Sequence, residues 1–230
     1  MRINKFMSLT GYCSRRETDR LIAAKRIMIN DKVCEHGDTV ELNDIVRVDG
    51  EQIKIKEQLK PVYIILNKPV GITCTAQPLV KENIIEFINY PQRIFPVGRL
   101  DKASEGLILL TDDGDIVNKI MRAEHNHEKE YIVRVDKPIT ETFIERMSNG
   151  VEILNTRTKQ CAVSQINDNE FRIILTQGLN RQIRRMCKVF GYEVERLQRI
   201  RIMNITLGSL EVGEWRDLSE VELNELLSQL

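Results

Sequence analysis

Two short, continuous apolar runs do most to limit how this chain can fold. They are VYIILN (residues 62–67) and LILL (residues 107–110). A run of this length that is apolar on both faces predicts a buried central strand, because such a strand has to be covered on both sides. Alternating strand-like segments and helical segments follow along the chain, so the sequence predicts a globular domain built around one sheet.

The first 58 residues predict a separate small unit. A short helix comes first, and Ser14 is expected to cap a second helix with Glu17 as its capping-box partner. Short alternating segments with Asn-Asp and Asp-Gly breaks then predict strands and tight turns. The polar stretch KIKEQLKP (residues 54–61) is the expected linker, which gives domains 1–58 and 59–230.

The charge distribution says more than the net charge, which is zero. Residues 1–32 contain eight Lys and Arg against three acidic residues, and residues 172–201 contain eight against two. Two basic blocks in a neutral chain are either solvated helix faces or surfaces for an anionic partner such as RNA.

Composition and cysteine usage point to the cytoplasm. No apolar run approaches the roughly 18–20 residues that a membrane helix needs, so no membrane association is expected. The N-terminus lacks the apolar core of a secretory signal. The five cysteines are odd in number and widely spaced, which fits reduced thiols better than disulfides or a zinc site.

The segment GRLDKASEG (residues 98–106) contains the first candidate for chemistry. Asp101 has the cations Arg99 and Lys102 beside it, and positive neighbours favour the ionised carboxylate that a nucleophile or base requires. Gly106 would allow a close approach of the backbone to a substrate. Taken alone, the aspartate is as well explained by a turn or a helix cap.

The segment HEKEYIVRV (residues 127–135) contains a second candidate, Tyr131. It is either a tyrosine packed at the edge of a sheet or a phenol that stacks on a base and exchanges a proton. His125, His127 and Glu128 do not have the spacing of a zinc motif, so no metal site is expected there.

Basic residues cluster on two predicted helices. In QGLNRQIRRMC, Arg181, Arg184 and Arg185 lie three and four residues apart, so they are expected to share one side of a helix and to meet phosphate or a carboxylate. In the N-terminal unit the basic residues that could follow a phosphate backbone are Arg2, Lys5, Arg15 and Arg16.

In their order along the chain, GRLDKASEGLILLT, KEYIVRV, GLNRQIRRM and ERLQRIRI resemble the motif series of the bacterial rRNA pseudouridine synthases of the RsuA type. The segments HNHEKEYIVRVDKPIT, RIMN and GEWRDL are similar to the RluF-like branch, which acts on large-subunit (23S) rRNA. The resemblance implies an α+β fold. In it, a small S-four-like RNA-binding domain precedes a catalytic domain with a mixed, mainly antiparallel sheet flanked by helices.

The resemblance also implies roles for individual residues. Asp101 matches the essential aspartate, which either attacks the anomeric carbon or removes the 2′ proton. Tyr131 matches the tyrosine that stacks on the base, and Arg184 matches the basic residue that pairs with the aspartate. Leu197 corresponds to an apolar residue that lines the base pocket, and Arg99 to a residue that supports the loop and fills the gap left by a flipped base.

Because the isomerisation of uridine involves no net redox change, the expected enzyme needs no cofactor or metal. Its expected partner is structured RNA, either rRNA or tRNA, and we expect a monomer without an obligate protein partner. Two other interpretations stay open: a non-catalytic RNA-binding or ribosome-assembly factor, and a hydrolase using paired carboxylates. A turn or helix start explains Asp112, Asp113 and Asp115 equally well.

One departure from the family pattern affects the N-terminal unit. Where the RNA-binding domain usually has glycine at its hairpin, this chain has Lys25 and Asp31, although Asn30 is retained. The tight turn must therefore be made differently, which puts RNA contacts at that hairpin in doubt.

Overall fold

The computed structural model describes residues 1–54, 60–77, 79–121 and 126–230. Contacts divide the chain into two compact units, Met1–Pro61 and Val62–Leu230. The predicted boundary at residue 58 and the middle of the predicted linker lie outside the described residues.

Two helices open the N-terminal unit: α1 (Ile3–Leu9) and α2 (Arg15–Ala23). Ser14 caps α2 as predicted, with its side chain accepting a hydrogen bond from the Glu17 amide. The reciprocal half of the capping box is not formed, because the Glu17 carboxylate pairs with Arg20 at 3.0 Å. The helix is therefore capped from one side only.

The sheet of this unit has the order β2-β1-β3-β4. Its strands are β1 (Ile27–Ile29), β2 (Lys32–Val33), β3 (Val46–Val48) and β4 (Glu51–Ile53). Apolar residues of both helices and of the sheet form one buried core. Strand β1 lies at its centre, where Ile27 has no exposed surface.

The hairpin between β1 and β2 shows how the turn is made without glycine. Asn30 and Asp31 connect the strands, and Asn30 adopts a left-handed φ of 54°, which asparagine tolerates better than most residues. Its side chain accepts from the Ile45 amide at 3.0 Å and donates to Asp44 at 3.0 Å. Lys25 also has a left-handed φ of 55°, where glycine would be unstrained.

The second unit contains five helices among its described residues, and side chains cap three of them. Their bounds are α3 (Ile84–Ile88), α4 (Gly114–Met121), α5 (Glu141–Ser148), α6 (Gln182–Val189) and α7 (Glu220–Ser228). Side chains of Asn83, Thr140 and Ser219 cap α3, α5 and α7, and Ser219 forms a full capping box with Glu222.

A large mixed sheet forms the framework of this unit, with the order β11-β12-β8-β13-β7-β5-β15. Its main strands are β5 (Tyr63–Lys68), β7 (Glu105–Thr111), β8 (Lys129–Val135), β11 (Ala162–Asn167), β12 (Glu170–Leu175), β13 (Val194–Ile202) and β15 (Trp215–Asp217). The shorter strands of the whole unit, which are not all part of this sheet, are β6 (Phe95–Pro96), β9 (Glu152–Ile153), β10 (Thr156–Arg157) and β14 (Ile205–Thr206). Strands β7 and β13 pair in parallel and the other pairings along this order are antiparallel, as the fold class predicts.

Strands β5 and β7 are covered on both faces, which confirms the interpretation of their apolar runs. Ile64, Leu66, Ile108 and Leu110 join one apolar cluster, which includes α3. The residues between them, such as Ile65 and Leu109, join a second cluster with α4 and α7. A third cluster forms where β8, β12 and β13 pack against α5 and α6.

Gly106 brings strands β7 and β13 unusually close together. Its φ is +102°, and an added Cβ would lie 2.3 Å from the Arg199 carbonyl oxygen and 2.7 Å from its amide nitrogen. The backbone of β13, rather than a substrate, therefore occupies the space that the missing side chain leaves. The structure therefore has a close backbone approach at Gly106, as predicted, but the approaching group is the neighbouring strand and not a substrate.

We expect Gly106→Ala to lower the free energy of unfolding by roughly 3 kcal/mol, because both the positive φ and the backbone clash have to be accommodated. Gly114→Ala is the matched control, since its nearest contact for a Cβ is 3.8 Å from a Phe95 ring carbon and its φ is ordinary. Thermal unfolding of both variants measures the difference. Equal melting temperatures would show that β13 yields readily at this point.

Candidate active site

The loop that contains Asp101 connects β6 to β7 and is held by its own backbone. The hydrogen bonds run from Leu100 N–H to Cys74 Sγ at 3.4 Å, from Gly71 N–H to Lys102 C=O at 2.8 Å and from Ser104 N–H to Asp101 C=O at 3.0 Å. Lys102 adds an ion pair with Glu82 at 2.8 Å. The loop is therefore fixed on both sides of the aspartate.

The carboxylate of Asp101 itself is left without a partner. Within the described parts of the chain, no hydrogen bond or ion pair reaches its side-chain oxygens, and the residue is partly buried. Ser104, which closes the turn, is almost fully buried, as is Leu100 before the aspartate. A carboxylate without a partner on a fixed loop is available to a substrate.

Arg184 of α6 connects this loop to strand β13. Its guanidinium donates to Ala103 C=O at 2.8 Å, to Ser104 Oγ at 3.4 Å and to Val194 C=O at 2.9 Å. The predicted ion pair with Asp101 is wrong for this structure, because Nη1 donates to β13, Nη2 donates to the loop, and Nε is enclosed without a partner.

Electrostatics still link Arg184 to the aspartate. Burial lowers the pKa of the Arg184 guanidinium, and the charge of Arg181 lowers it further, whereas the charge of Asp101 acts in the opposite direction. The carboxylate is therefore near enough to affect the pKa of Arg184. Because Arg184 holds the loop, it positions Asp101 indirectly.

Tyr131 lies between two apolar clusters. It is half buried on β8 and packs against both the cluster of α5 and α6 and the cluster of α3. Leu197 is 6% exposed and belongs to the first of these clusters, directly across from Val133, two residues after Tyr131. Leu197 can thus support the tyrosine from β13. It is also an ordinary core residue of this cluster.

Two buried cations were missed by the sequence-based interpretation. Lys68, at the end of β5, has no exposed surface, and Arg199 of β13 is 3% exposed. The strand register places them in one row across the sheet: Lys68 pairs with Gly106, Gly106 with Arg199, and Arg199 with Tyr131. The signal for Lys68 was a charged residue ending an otherwise apolar strand, which is unusual unless the charge has a use.

Lys68 carries its charge close to the aspartate. Its ammonium group donates to Pro69 C=O at 2.8 Å. Burial lowers the pKa of Lys68, while the nearby Cys74, Asp101 and Glu105 act to raise it. Lys68 therefore adds positive potential near the aspartate.

The remaining predicted residues of this unit lie on its surface or are engaged locally. Arg99 is exposed. The prediction that Arg181 lies on the helix is wrong, because it precedes α6 with a left-handed φ of 51°. Arg185 folds back onto Asn180, donating to its carbonyl at 3.0 Å and its side-chain oxygen at 3.2 Å. The three arginines therefore do not form one helix face.

In the N-terminal unit, the predicted basic residues surround the two helix starts. Arg2 precedes α1 and is exposed, Lys5 is half buried, and Arg15 and Arg16 form the exposed first turn of α2. Cations in the first turn of a helix oppose its dipole, so these arginines do not stabilise the helix. A function outside the fold is the simpler explanation for them.

The carboxylates considered for a hydrolase have structural partners. Asp112 accepts from the Val62 amide at 2.8 Å, and Asp113 accepts from the Tyr63 hydroxyl at 2.8 Å and from the Asp115 amide at 2.9 Å. Within the described ranges, no group of three or more His, Cys, Asp or Glu residues could hold a metal ion. His125 lies outside them.

None of the helices described here has both the length and the apolar character needed to cross a membrane.

The family comparison matches both units. Residues 62–188 match the RNA pseudouridylate synthase family, and residues 1–46 match the S4 domain. The dual-specificity RNA pseudouridine synthase RluF of Escherichia coli (strain K12) is 54% identical over 226 residues, which cover 98% of this chain and 78% of that protein.

Two further relatives extend the likeness over nearly the full chain. The ribosomal large subunit pseudouridine synthase B of Bacillus subtilis (strain 168) is 31% identical over 98% of this chain and 95% of its own length. A crystal structure of a pseudouridylate synthase superposes with a TM-score of 0.72 at 28% identity and covers 98% of this chain and 99% of that one.

We expect Arg184→Met to loosen the Asp101 loop, because the backbone oxygens of Ala103 and Val194 lose their charged donor. Amide hydrogen exchange at residues 101–104 should become roughly tenfold faster, while exchange in β7 stays slow. Arg172→Met, an exposed arginine on β12, should leave both regions unchanged. Unaltered exchange in the loop of the Arg184 variant would mean that the backbone bonds alone fix it.

Proposed function

The chain belongs to the RNA pseudouridylate synthase family, and we propose that it converts specific uridines of large-subunit rRNA to pseudouridine with Asp101 as the essential carboxylate. The observation that carries this proposal is the carboxylate of Asp101, which has no partner among the described residues although Leu100, Lys102 and Ala103 around it are held in place. A carboxylate that stabilised the fold would have a partner.

The reaction breaks the N1–C1′ bond of uridine and joins C5 of the same base to C1′. In one route the Asp101 carboxylate attacks C1′ and forms an ester, and in the other it removes the 2′ proton. In both, the electron pair of the broken bond leaves with the base as a uracil anion. That pair then forms the C5–C1′ bond; in the first route this displaces the Asp101 carboxylate from C1′, and in the second the 2′ proton returns from Asp101 to C2′. The proton lost from C5 is balanced by one gained at N1.

The roles of the other residues follow their positions. Arg184 holds the loop that presents Asp101, and Lys68 places a buried positive charge near that loop. Tyr131 offers its ring to the base and its phenol to the C5 proton. Arg99, exposed beside the loop, can occupy the space left by a flipped nucleotide.

The names of the relatives guide the choice of substrate. One acts on the ribosomal large subunit and the other is named dual-specificity. We therefore propose large-subunit rRNA as the main substrate and tRNA as the candidate for a second one. A non-catalytic assembly factor would have no use for an unpaired, fixed carboxylate.

The N-terminal unit is proposed to hold the RNA, with residues 1–58 as the binding domain and 59–230 as the catalytic domain. The exposed Arg2, Arg15 and Arg16 support this, because they do not stabilise their own helices. The side chain of Asn30 is hydrogen-bonded to Asp44 and to the Ile45 amide, so it is not available to contact RNA directly. We propose a monomer that works in the cytoplasm.

The direct test uses Asp101→Asn, which keeps the size of the side chain and removes its charge. With protein-free large-subunit rRNA, the variant should form no pseudouridine while binding the RNA as tightly as the unaltered chain. Nucleoside analysis after nuclease digestion and filter binding measure the two properties. Asp113→Asn serves as the control because its carboxylate has structural partners. Normal turnover by the Asp101 variant would refute the proposal.

A second test addresses the N-terminal surface. Replacing Arg15 and Arg16 by Ala should weaken binding to the same rRNA and reduce the slope of log K against log salt by about two, one for each lost phosphate contact. The paired control replaces the exposed Arg157 and Arg172, on the catalytic unit. If the control pair changes the slope and the Arg15/Arg16 pair does not, the RNA surface lies elsewhere.

A further inference from the structure

Arg199 is a buried cation that nothing in the described parts of the chain neutralises. Its Nε donates to Leu107 C=O at 2.7 Å, and its Nη2 is enclosed without a hydrogen-bond partner. No carboxylate lies within ion-pair distance among the residues that the structure describes. A buried guanidinium without a counter-charge opposes folding, so its presence requires another explanation.

Two further cations near Arg199 add to the excess of positive charge. Its charge acts on Lys68 and on Lys129, lowering the pKa of each in addition to the larger effect of burial. Both lysines are themselves buried. A region with three buried cations has a strong positive potential, because little water is present to screen it.

The position of this potential coincides with the proposed site. Arg199 is the direct cross-strand partner of Tyr131, whose ring is offered to the base. Direct partners in an antiparallel pair have side chains about 5 Å apart. On its other side Arg199 adjoins Gly106, at the end of the loop that carries Asp101. The register therefore places Arg199 beside Tyr131 and next to the end of the loop that carries Asp101, close to where the proposed function would hold a base.

Given the proposed function, we infer that Arg199 stabilises the detached uracil anion through space, as a positioning residue that acts from its place beside Tyr131 without touching the base. When the N1–C1′ bond breaks, the electron pair and its negative charge move onto the uracil ring. A fixed positive charge in a weakly screened site lowers the energy of that state more than that of the neutral uridine. The stabilisation is the same in the nucleophilic and the proton-removal routes, since both release the same anion.

The test compares two substrates that differ in how stable the departing base is. Large-subunit rRNA is transcribed either with uridine or with 5-fluorouridine, whose electron-withdrawing fluorine stabilises the uracil anion and reduces its need for help from the protein. Single-turnover loss of the N-linked nucleoside is measured after nuclease digestion. For Arg199→Met we expect the rate on uridine to fall by about 30-fold, the effect of a unit charge roughly 8 Å away at an effective dielectric constant of about 20. On 5-fluorouridine the fall should be less than about fivefold, because the more stable anion depends less on the cation.

Arg199→Lys separates charge from shape. It keeps the positive charge and loses the planar fork, so it should restore most of the rate on uridine. Arg134→Met is the matched control, because Arg134 is an exposed arginine on β8 that forms an ion pair with the exposed Glu195 at 3.5 Å. It should change neither rate. Thermal unfolding of each variant shows that the proteins compared are folded.

Equal losses on the two transcripts for Arg199→Met, or no recovery with Arg199→Lys in a folded protein, would overturn this inference and assign Arg199 to the sheet alone. Both results leave the proposed function intact, since the unaltered chain still converts uridine. If the unaltered chain converts neither transcript, the proposed function fails and the inference fails with it.

Discussion

The three hydrogen bonds of Arg184 hold the catalytic unit together at its centre. One arm of the guanidinium binds β13 at Val194, and the other binds the loop of Asp101 at Ala103 and Ser104. The first contact belongs to the half of the sheet covered by α5 and α6, and the second to the half covered by α3. Tyr131 packs against the clusters of both halves, so this side chain and the pairing of β7, β13 and β8 together fix its position relative to the Asp101 loop. A family resemblance implied an arginine paired with the aspartate; the structure gives it a mechanical role, with the carboxylate left unpaired.

Charges that lack partners define the rest of the site. Among the residues that the structure describes, Asp101 has no ion pair, Lys68 is fully buried with one carbonyl acceptor, and Arg199 is buried with an enclosed, unpartnered nitrogen. Each arrangement costs stability when considered alone. Together they place an available carboxylate above a region of positive potential, which suits a reaction that begins with an ionised acid and passes through an anionic base. The well-packed clusters on both faces of the sheet supply the stability that this arrangement requires.

Local patterns were sufficient to predict much of the fold. The apolar runs at β5 and β7, the helix cap at Ser14 and the order of the elements all follow from residues close together in the chain. The site could be predicted only as separate candidates. The row from Lys68 to Tyr131 depends on the register of four strands. Lys68 and Arg199 in this row are 131 residues apart in the sequence, so no local pattern predicts it. The left-handed conformation of Arg181, which removes it from the helix, and the turn of Arg184 towards the loop likewise depend on tertiary contacts.

The central claim is that this chain isomerises uridine in large-subunit rRNA. Pseudouridine mapping of total RNA from cells with and without the gene for this chain tests it most directly, because every RNA class is examined at once. The account predicts one or more pseudouridines in large-subunit rRNA that disappear when the chain is absent and return when it is supplied again. Identical maps would contradict the claim that the chain is a synthase acting on cellular RNA, and a difference confined to tRNA would contradict the choice of rRNA.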